Sequence, residues 1–386
     1  MSGLAKASDL DLLSYNITMS IPFIDLTRFE DQFLLRWNEK VAEISKKASF
    51  IGGYEVEIFE QRLSDLTQVD NVVTCANGTD AIQLALRALG VGAGDYVLVP
   101  NVTFWATYEA AVNVGAIPIT IDVDLSDGGV DLSAFILAVE KYQPKAAVIA
   151  HLYGWATRNL EFIRTFCKDS NVFLVEDGAQ CFGVQLNRQS IYKDALISTT
   201  SFYPAKVLGG AGDGGAVFSS HKSLAEEVRR LGNHGRTSHY GYGSIGWNSR
   251  LDSIQAAYLN IALDYLPQRI SSRRNAAKYY QNSLSIIGVK QILAPEFYEE
   301  NGYCNVTIFE DFDLKRRVEK GLRDKNIGFG NIYPAAISDQ PAIKSILHMG
   351  GRNSQRLCES ILNLPLYPYM TEIELKTVVD TVASLV

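Results

Sequence analysis

The stretch Cys75–Pro100, CANGTDAIQLALRALGVGAGDYVLVP, sets the architecture of the chain. Its middle, AIQLALRALG (Ala81–Gly90), carries apolar residues at helical spacing and stops on a glycine. Its end, GDYVLVP (Gly94–Pro100), is a short apolar strand closed by proline. The alternation continues downstream. AIPITIDVD (Ala116–Asp124), AAVIAHLYG (Ala146–Gly154) and NVFLVED (Asn171–Asp177) read as strands, with helical FILAVEKY (Phe135–Tyr142) and LEFIRTFCKD (Leu160–Asp169) between them. Short apolar strands alternating with helices predict an α/β fold, with a mostly parallel sheet covered by helices on both faces.

After about Asn248 the character changes. LDSIQAAYLNIALDYLPQRISSRRNAAKYYQNSL (Leu251–Leu284) reads as long helix punctuated by Pro267, and the tail mixes short strands with helices. The expected organisation is an N-terminal extension (1–20), a large domain (21–270) and a smaller C-terminal α+β domain (271–386). Met19 could itself begin the compact part.

Composition narrows the function. The chain has 386 residues, 47% hydrophobic and 20% charged, the balance of a globular protein. A net charge of −7 opposes nonspecific nucleic-acid binding, which needs basic surface to neutralise phosphates. The five cysteines are scattered without a CxxC, so neither a disulfide framework nor a zinc site is expected, and no HExxH joins the five histidines. The first twenty residues lack the apolar run of a signal peptide, and no segment offers the ~18 apolar residues of a membrane span. A cytoplasmic setting is expected.

In open α/β sheets, ligands sit at the carboxyl ends of strands. Polar residues fall at such ends here: Asn77 to Asp80, Thr103 to Trp105, and Asp177 to Gln180. The helix start at Gly78 and Thr79 offers free N–H groups and a dipole to a phosphate; an ordinary N-cap by Thr79 or Asn77 is the alternative. No Walker loop is present. Asp177, in VEDGAQ, is either a capping residue or the partner of a ring cation, with Gln180 beside it. Phe104 is either a core aromatic or a stacking platform.

A further segment joins these. TSFYPAKVLGGAGDGGAVFSS (Thr200–Ser220) places Lys206 ahead of five glycines in nine residues. A phosphate cradle, a carboxylate for a pyridinium nitrogen, a stacking aromatic and a lysine among glycines together fit pyridoxal phosphate. The Lys206 amine would form a Schiff base, Asp177 would keep the ring nitrogen protonated, and the glycines would permit close backbone approach.

At this point the chain resembles the DegT/DnrJ/StrS sugar aminotransferases, fold-type-I enzymes that use pyridoxal 5'-phosphate. The markers, in order, are NGTDAIQLALRALGVGAGDYVLVP, VTFWAT, HLYGWA, VEDGAQCFG, SFYPAK, GDGGAVF, LGNHGR and WNSRLDSIQAA. The resemblance implies that Lys206 is the Schiff-base lysine and Asp177 contacts the ring nitrogen. It implies that Gln180 lies near the ring hydroxyl, Phe104 stacks on the ring, and Gly78, Thr79 and Ser201 hold the phosphate. Asn248 would reach the phosphate of a neighbouring subunit, making a homodimer with shared sites. Arg250, in NSR, would meet the carboxylate of L-glutamate or of an acidic substrate, or form a structural salt bridge. Tyr333 lies in a segment that contacts the sugar in relatives; many carry histidine just before it, where this chain has Ile332. The implied reaction moves an amino group from L-glutamate to a nucleotide-linked 3-keto sugar, of UDP-3-keto-N-acetylglucosamine or dTDP-3-keto-6-deoxyhexose type. Rival acceptors are a 4-keto sugar, an unlinked sugar phosphate or a cyclitol. A cofactor-binding regulatory protein is the rival of another class.

Overall fold

The structure, a computed structural model, describes residues 20–386. The expected N-terminal extension, and Met19 with it, lies outside the described residues apart from Ser20.

An eight-stranded sheet forms the centre. Its first five strands in chain order are β1 (Asn71–Cys75), β2 (Tyr96–Pro100), β3 (Ile117–Ile121), β4 (Ala146–Ala150) and β5 (Phe173–Asp177). Three more join it: Ile197–Ser201, Gly215–Ser219 and Leu347–Met349. Across the sheet the order is β1, Gly215–Ser219, Ile197–Ser201, β5, β4, β2, β3 and Leu347–Met349. All neighbours pair in parallel except those of Gly215–Ser219, which runs antiparallel to both its partners. The sheet is therefore mostly parallel, as the alternating pattern requires.

Both faces are buried, which explains why these strands read as continuous apolar runs. Leu98 points into one core with Ile119 and Ile149, while its neighbours Val97 and Val99 point into another with Val148 and Val175. Helices Gly78–Ala88 and Trp105–Asn113 cover the second face.

Two strands, β3 and β4, end sooner than their apolar runs. β4 stops at Ala150, and HLYG leaves the sheet with Tyr153 and Gly154 at positive φ of 63° and 109°. These early exits leave polar side chains standing at the carboxyl edge.

The long helix spans Ser253–Ile286 without interruption, so Pro267 does not punctuate it. An interior proline forfeits a backbone hydrogen bond, at a cost of about 3 kcal/mol. Burial of Leu263, Leu266 and Ile270 around it offsets that loss. The first half of the helix packs into the sheet's core, and Ala276, Tyr280 and Leu284 pack into a third core with Val318, Leu322, Val378 and Val382. Residue 270 thus lies within a continuous helix.

Candidate active site

The carboxyl ends of β1, β2, β4, β5 and the strand Ile197–Ser201 open into one cavity of about 570 Å³. Gly78, Thr79, Phe104, Asp177, Gln180, Ser201, Lys206 and Tyr333 all line it. These eight residues, drawn from five separate stretches of sequence, thereby meet in one place.

The helix after β1 begins there. Asn77 caps it, its Oδ1 accepting from Asp80 N at 2.8 Å while its carbonyl accepts from Ala81 N. Of the two caps the sequence allowed, Asn77 takes the position. Among the described residues, the N–H groups of Gly78 and Thr79 have no partner, so the helix start keeps two free donors beside Ser201. A Cβ on Gly78 would lie 2.7 Å from Ser201 Cβ, so only glycine permits this approach.

Asp177 ends β5 and is 7% exposed. Its Oδ2 accepts from Thr107 Oγ1 at 3.0 Å and its Oδ1 from Ala179 N at 3.1 Å. Thr107 in turn shares a hydroxyl contact of 2.9 Å with Thr103. No cation pairs with Asp177 among the described residues. A buried carboxylate lacking a counter-ion is costly, and a protonated ring nitrogen would supply one.

Gln180 is locked from both sides. Its Oε1 accepts from Tyr153 N at 2.7 Å, which fixes its amide orientation, and its Nε2 donates to the Tyr333 hydroxyl at 2.6 Å. Burial, together with the nearby Tyr303, Tyr153 and Asp177, pushes the Tyr333 phenol well above its usual range, so it stays protonated. The Tyr333 ring lies 6.4 Å from that of Phe104, which is 59% exposed at the cavity mouth. The exposed ring fits a stacking platform better than a core residue.

A buried chain of polar side chains runs alongside β5, from His151 at the cavity to Arg164. His151 Nε2 lies 3.0 Å from Glu176 Oε2, and Arg164 bonds both Glu176 oxygens at 2.8 and 2.9 Å. Burial alone would raise the Glu176 carboxyl, but the charge of Arg164 and the bonds from His151 and Arg164 hold it below its ordinary range. The chain braces the strand that presents Asp177.

Two sequence candidates stand apart. Asn248 is exposed and bridges Asn233, outside the cavity. Arg250 donates from Nη1 to Asn233 Oδ1 at 2.7 Å and lines a separate, smaller pocket. Its partner is an amide rather than the carboxylate of a structural salt bridge. The structure also adds Thr107, Tyr153 and Tyr303, which the sequence reading did not single out. Thr107 and Tyr153 sit inside VTFWAT and HLYGWA, so marker segments without an assigned role held the signal. Among the described residues, no group of three His, Cys, Asp or Glu could hold a metal ion, and all five cysteines are buried and unpaired.

The donor set fits pyridoxal phosphate: free helix N–H groups and Ser201 for a phosphate, an uncompensated carboxylate for a ring cation, and a lysine in the same cavity. Comparison with known proteins agrees. The profile of the DegT/DnrJ/EryC1/StrS aminotransferase family matches residues 35–383. The chain is 30% identical to the UDP-2-acetamido-2-deoxy-3-oxo-D-glucuronate aminotransferase of Pseudomonas aeruginosa, over 93% of this chain and 98% of that one. It is 32% identical to the UDP-N-acetyl-3-dehydro-alpha-D-glucosamine 3-aminotransferase of Acidithiobacillus ferrooxidans, over 94% and 97%. Its fold superposes on a crystal structure of a DegT/DnrJ/EryC1/StrS aminotransferase from Brucella abortus with a TM-score of 0.88 at 31% identity, covering 94% of this chain and 99% of that one. The chain therefore belongs to the DegT/DnrJ/EryC1/StrS aminotransferase family.

Proposed function

We propose that this protein moves an amino group from L-glutamate to a nucleotide-linked 3-keto sugar, using pyridoxal 5'-phosphate. The observation that carries this reading is Lys206 sharing one cavity with the buried, uncompensated carboxylate of Asp177. When bound, the cofactor supplies an aldehyde to carry the amino group and a ring that withdraws electrons from the carbon losing its proton.

The chain's own residues do the rest. Gly78, Thr79 and Ser201 hold the phosphate. Phe104 stacks on the ring, Gln180 stands at the ring hydroxyl, and Asp177 holds the proton on the ring nitrogen. Lys206 Nζ carries the cofactor between turnovers and, once released, moves the proton as general acid and base. Asn248 reaches the phosphate of a neighbouring subunit, so the active unit is a homodimer, and Arg250 meets a substrate carboxylate there. A large domain (21–270) binds the cofactor, a smaller C-terminal domain (271–386) follows it, and the setting is cytoplasmic. No helix among the described residues is long and apolar enough to cross a membrane.

The acceptor is a neutral 3-keto hexose on a nucleoside diphosphate, with UDP-3-keto-N-acetylglucosamine foremost. Tyr333 and Ile332 form part of the wall that meets the sugar. Among the described residues of one chain, no arginine lines the cavity, so a neighbouring subunit's Arg250 is left for the carboxylate of glutamate, and Ile332 adds an apolar wall. An apolar side chain at Ile332 offers a sugar carboxylate no hydrogen-bond donor, which disfavours a uronate.

Purified enzyme should absorb visibly and lose that band with glutamate. Single-turnover assays of the glutamate-treated enzyme should then show faster amination of UDP-linked 3-keto sugars than of 4-keto sugars. Preference for a 4-keto acceptor, an unlinked sugar phosphate or a uronate would overturn the acceptor; a band unmoved by glutamate would overturn the aminotransferase.

A further inference from the structure

We propose that Tyr303 is a positioning residue for Lys206: the face of its ring holds the free amine as an ammonium at the reaction centre. This rests on the reading of Lys206 as the proton-moving lysine. Lys206 Nζ lies 5.5 Å from the centroid of the Tyr303 ring, within cation–π range. No carboxylate forms an ion pair with Lys206 among the described residues, and Asp177 is committed to Thr107 and Ala179.

The ring is held there by a built strap, Asn301-Gly302-Tyr303. Asn301 is fully buried, and its Nδ2 donates to the carbonyls of Gln180 at 2.8 Å and Phe182 at 3.0 Å. Its Oδ1 accepts from Tyr303 N at 2.9 Å, which sets where the tyrosine leaves the strap. Gly302, at φ +66°, packs so closely on the long helix that a Cβ would lie 2.7 Å from Arg273 Cβ. Arg273 is 4% exposed and, among the described residues, lacks a carboxylate partner; it donates from Nη1 to the carbonyls of Gly302 at 3.4 Å and Leu366 at 3.3 Å. Burial lowers this guanidinium to about 10. A buried cation kept at such cost, and bonded to the strap's backbone, accounts for the fixed position of Tyr303.

The consequence is kinetic. A lysine that takes a proton becomes an ammonium on a flexible four-carbon stem. Without a partner it can swing toward water; over an aromatic face it stays where the proton must be returned.

The test compares Tyr303→Leu, Tyr303→Phe and Tyr303→Trp. In cofactor-free protein, labelling of Lys206 by an amine-reactive reagent is followed against pH by peptide mapping. Removing the ring removes the cation–π contact, so Tyr303→Leu should label about fivefold faster near neutrality. Tyr303→Phe should match the wild type, and Tyr303→Trp, with the stronger cation-binding face, should label more slowly. With cofactor and glutamate, proton transfer should slow in Tyr303→Leu and recover in Tyr303→Phe. Unchanged labelling in Tyr303→Leu, or a Tyr303→Phe variant as altered as Tyr303→Leu, overturns the inference. If Tyr303→Leu fails to fold, Tyr303→Trp decides: labelling no slower than wild type overturns it. Should labelling shift as expected while no keto sugar is aminated, the acceptor reading fails and the role of Tyr303 stands.

Discussion

Thr107 Oγ1 donates to Asp177 Oδ2 across 3.0 Å, and among the described residues no other side chain bonds that carboxylate. The hydroxyl fixes one oxygen while Ala179 N–H fixes the other, so the carboxylate plane has little freedom. A charge-assisted bond of this kind is worth ~1.5–3 kcal/mol. Thr107→Val keeps the volume and removes the donor. Stopped-flow traces of the visible band with glutamate should slow roughly tenfold, and Asp177→Asn should slow them far more, because an amide cannot hold the ring-nitrogen proton. Equal rates in Thr107→Val and wild type would show that the hydroxyl does not orient Asp177.

Lys206→Ala should abolish turnover yet still bind cofactor noncovalently, since Gly78, Thr79, Ser201, Asp177 and Phe104 remain. Borohydride reduction of the wild type followed by peptide mapping should place the cofactor label on Lys206. A label on any other lysine would remove the basis of the assignment.

Asn248 stands exposed and away from its own chain's cavity, as a residue acting across a subunit interface would. Asn248→Ala should weaken cofactor retention. Mixing it with Lys206→Ala protein should let exchanged subunits form one site carrying both defects and one carrying neither. Activity should reappear on mixing; its failure to do so, with subunit exchange verified, would contradict a shared site.

The pair Arg164–Glu176 gives a pH-dependent stability whose sign can be stated. The Glu176 carboxyl is held below its unfolded value of 4.5, so its contribution is present above that pH and fades as pH falls through the lower folded value. Arg164→Met leaves the buried carboxylate without its guanidinium, with only His151 still bonded to it, and should cost about 3–5 kcal/mol near neutrality. In that variant burial favours the protonated acid, so the deficit should shrink on acidification. Urea melts at about pH 7.5 and about pH 5 would measure it; a deficit that does not depend on pH would mean that Glu176 is not ionised in the native protein.

The strand-end residues were legible because a parallel sheet writes a double signature: an apolar run, then the polar residue where it stops. Asp177, Gln180 and Lys206 carry that mark or lie among glycines, and the cavity gathers all three. Tyr303 carries no such mark. Its position depends on Asn301 meeting Gln180, 121 residues away in sequence, and on Arg273 inside a helix whose pattern speaks only of burial. Thr107 was hidden for a related reason, since its partner Asp177 is 70 residues away. Asn248 and Arg250 were visible as a motif, but one chain's geometry assigns them no place in its own cavity.

The helix Ser253–Ile286 is rooted at one end in the sheet's core and at the other in the C-terminal core. Neither lobe can lose its packing without stripping apolar partners from a helix the other still needs. Heat should therefore melt the chain in a single cooperative transition rather than in two steps. Amide hydrogens along Leu259–Tyr280 should be among the last to exchange, opening only with the whole molecule.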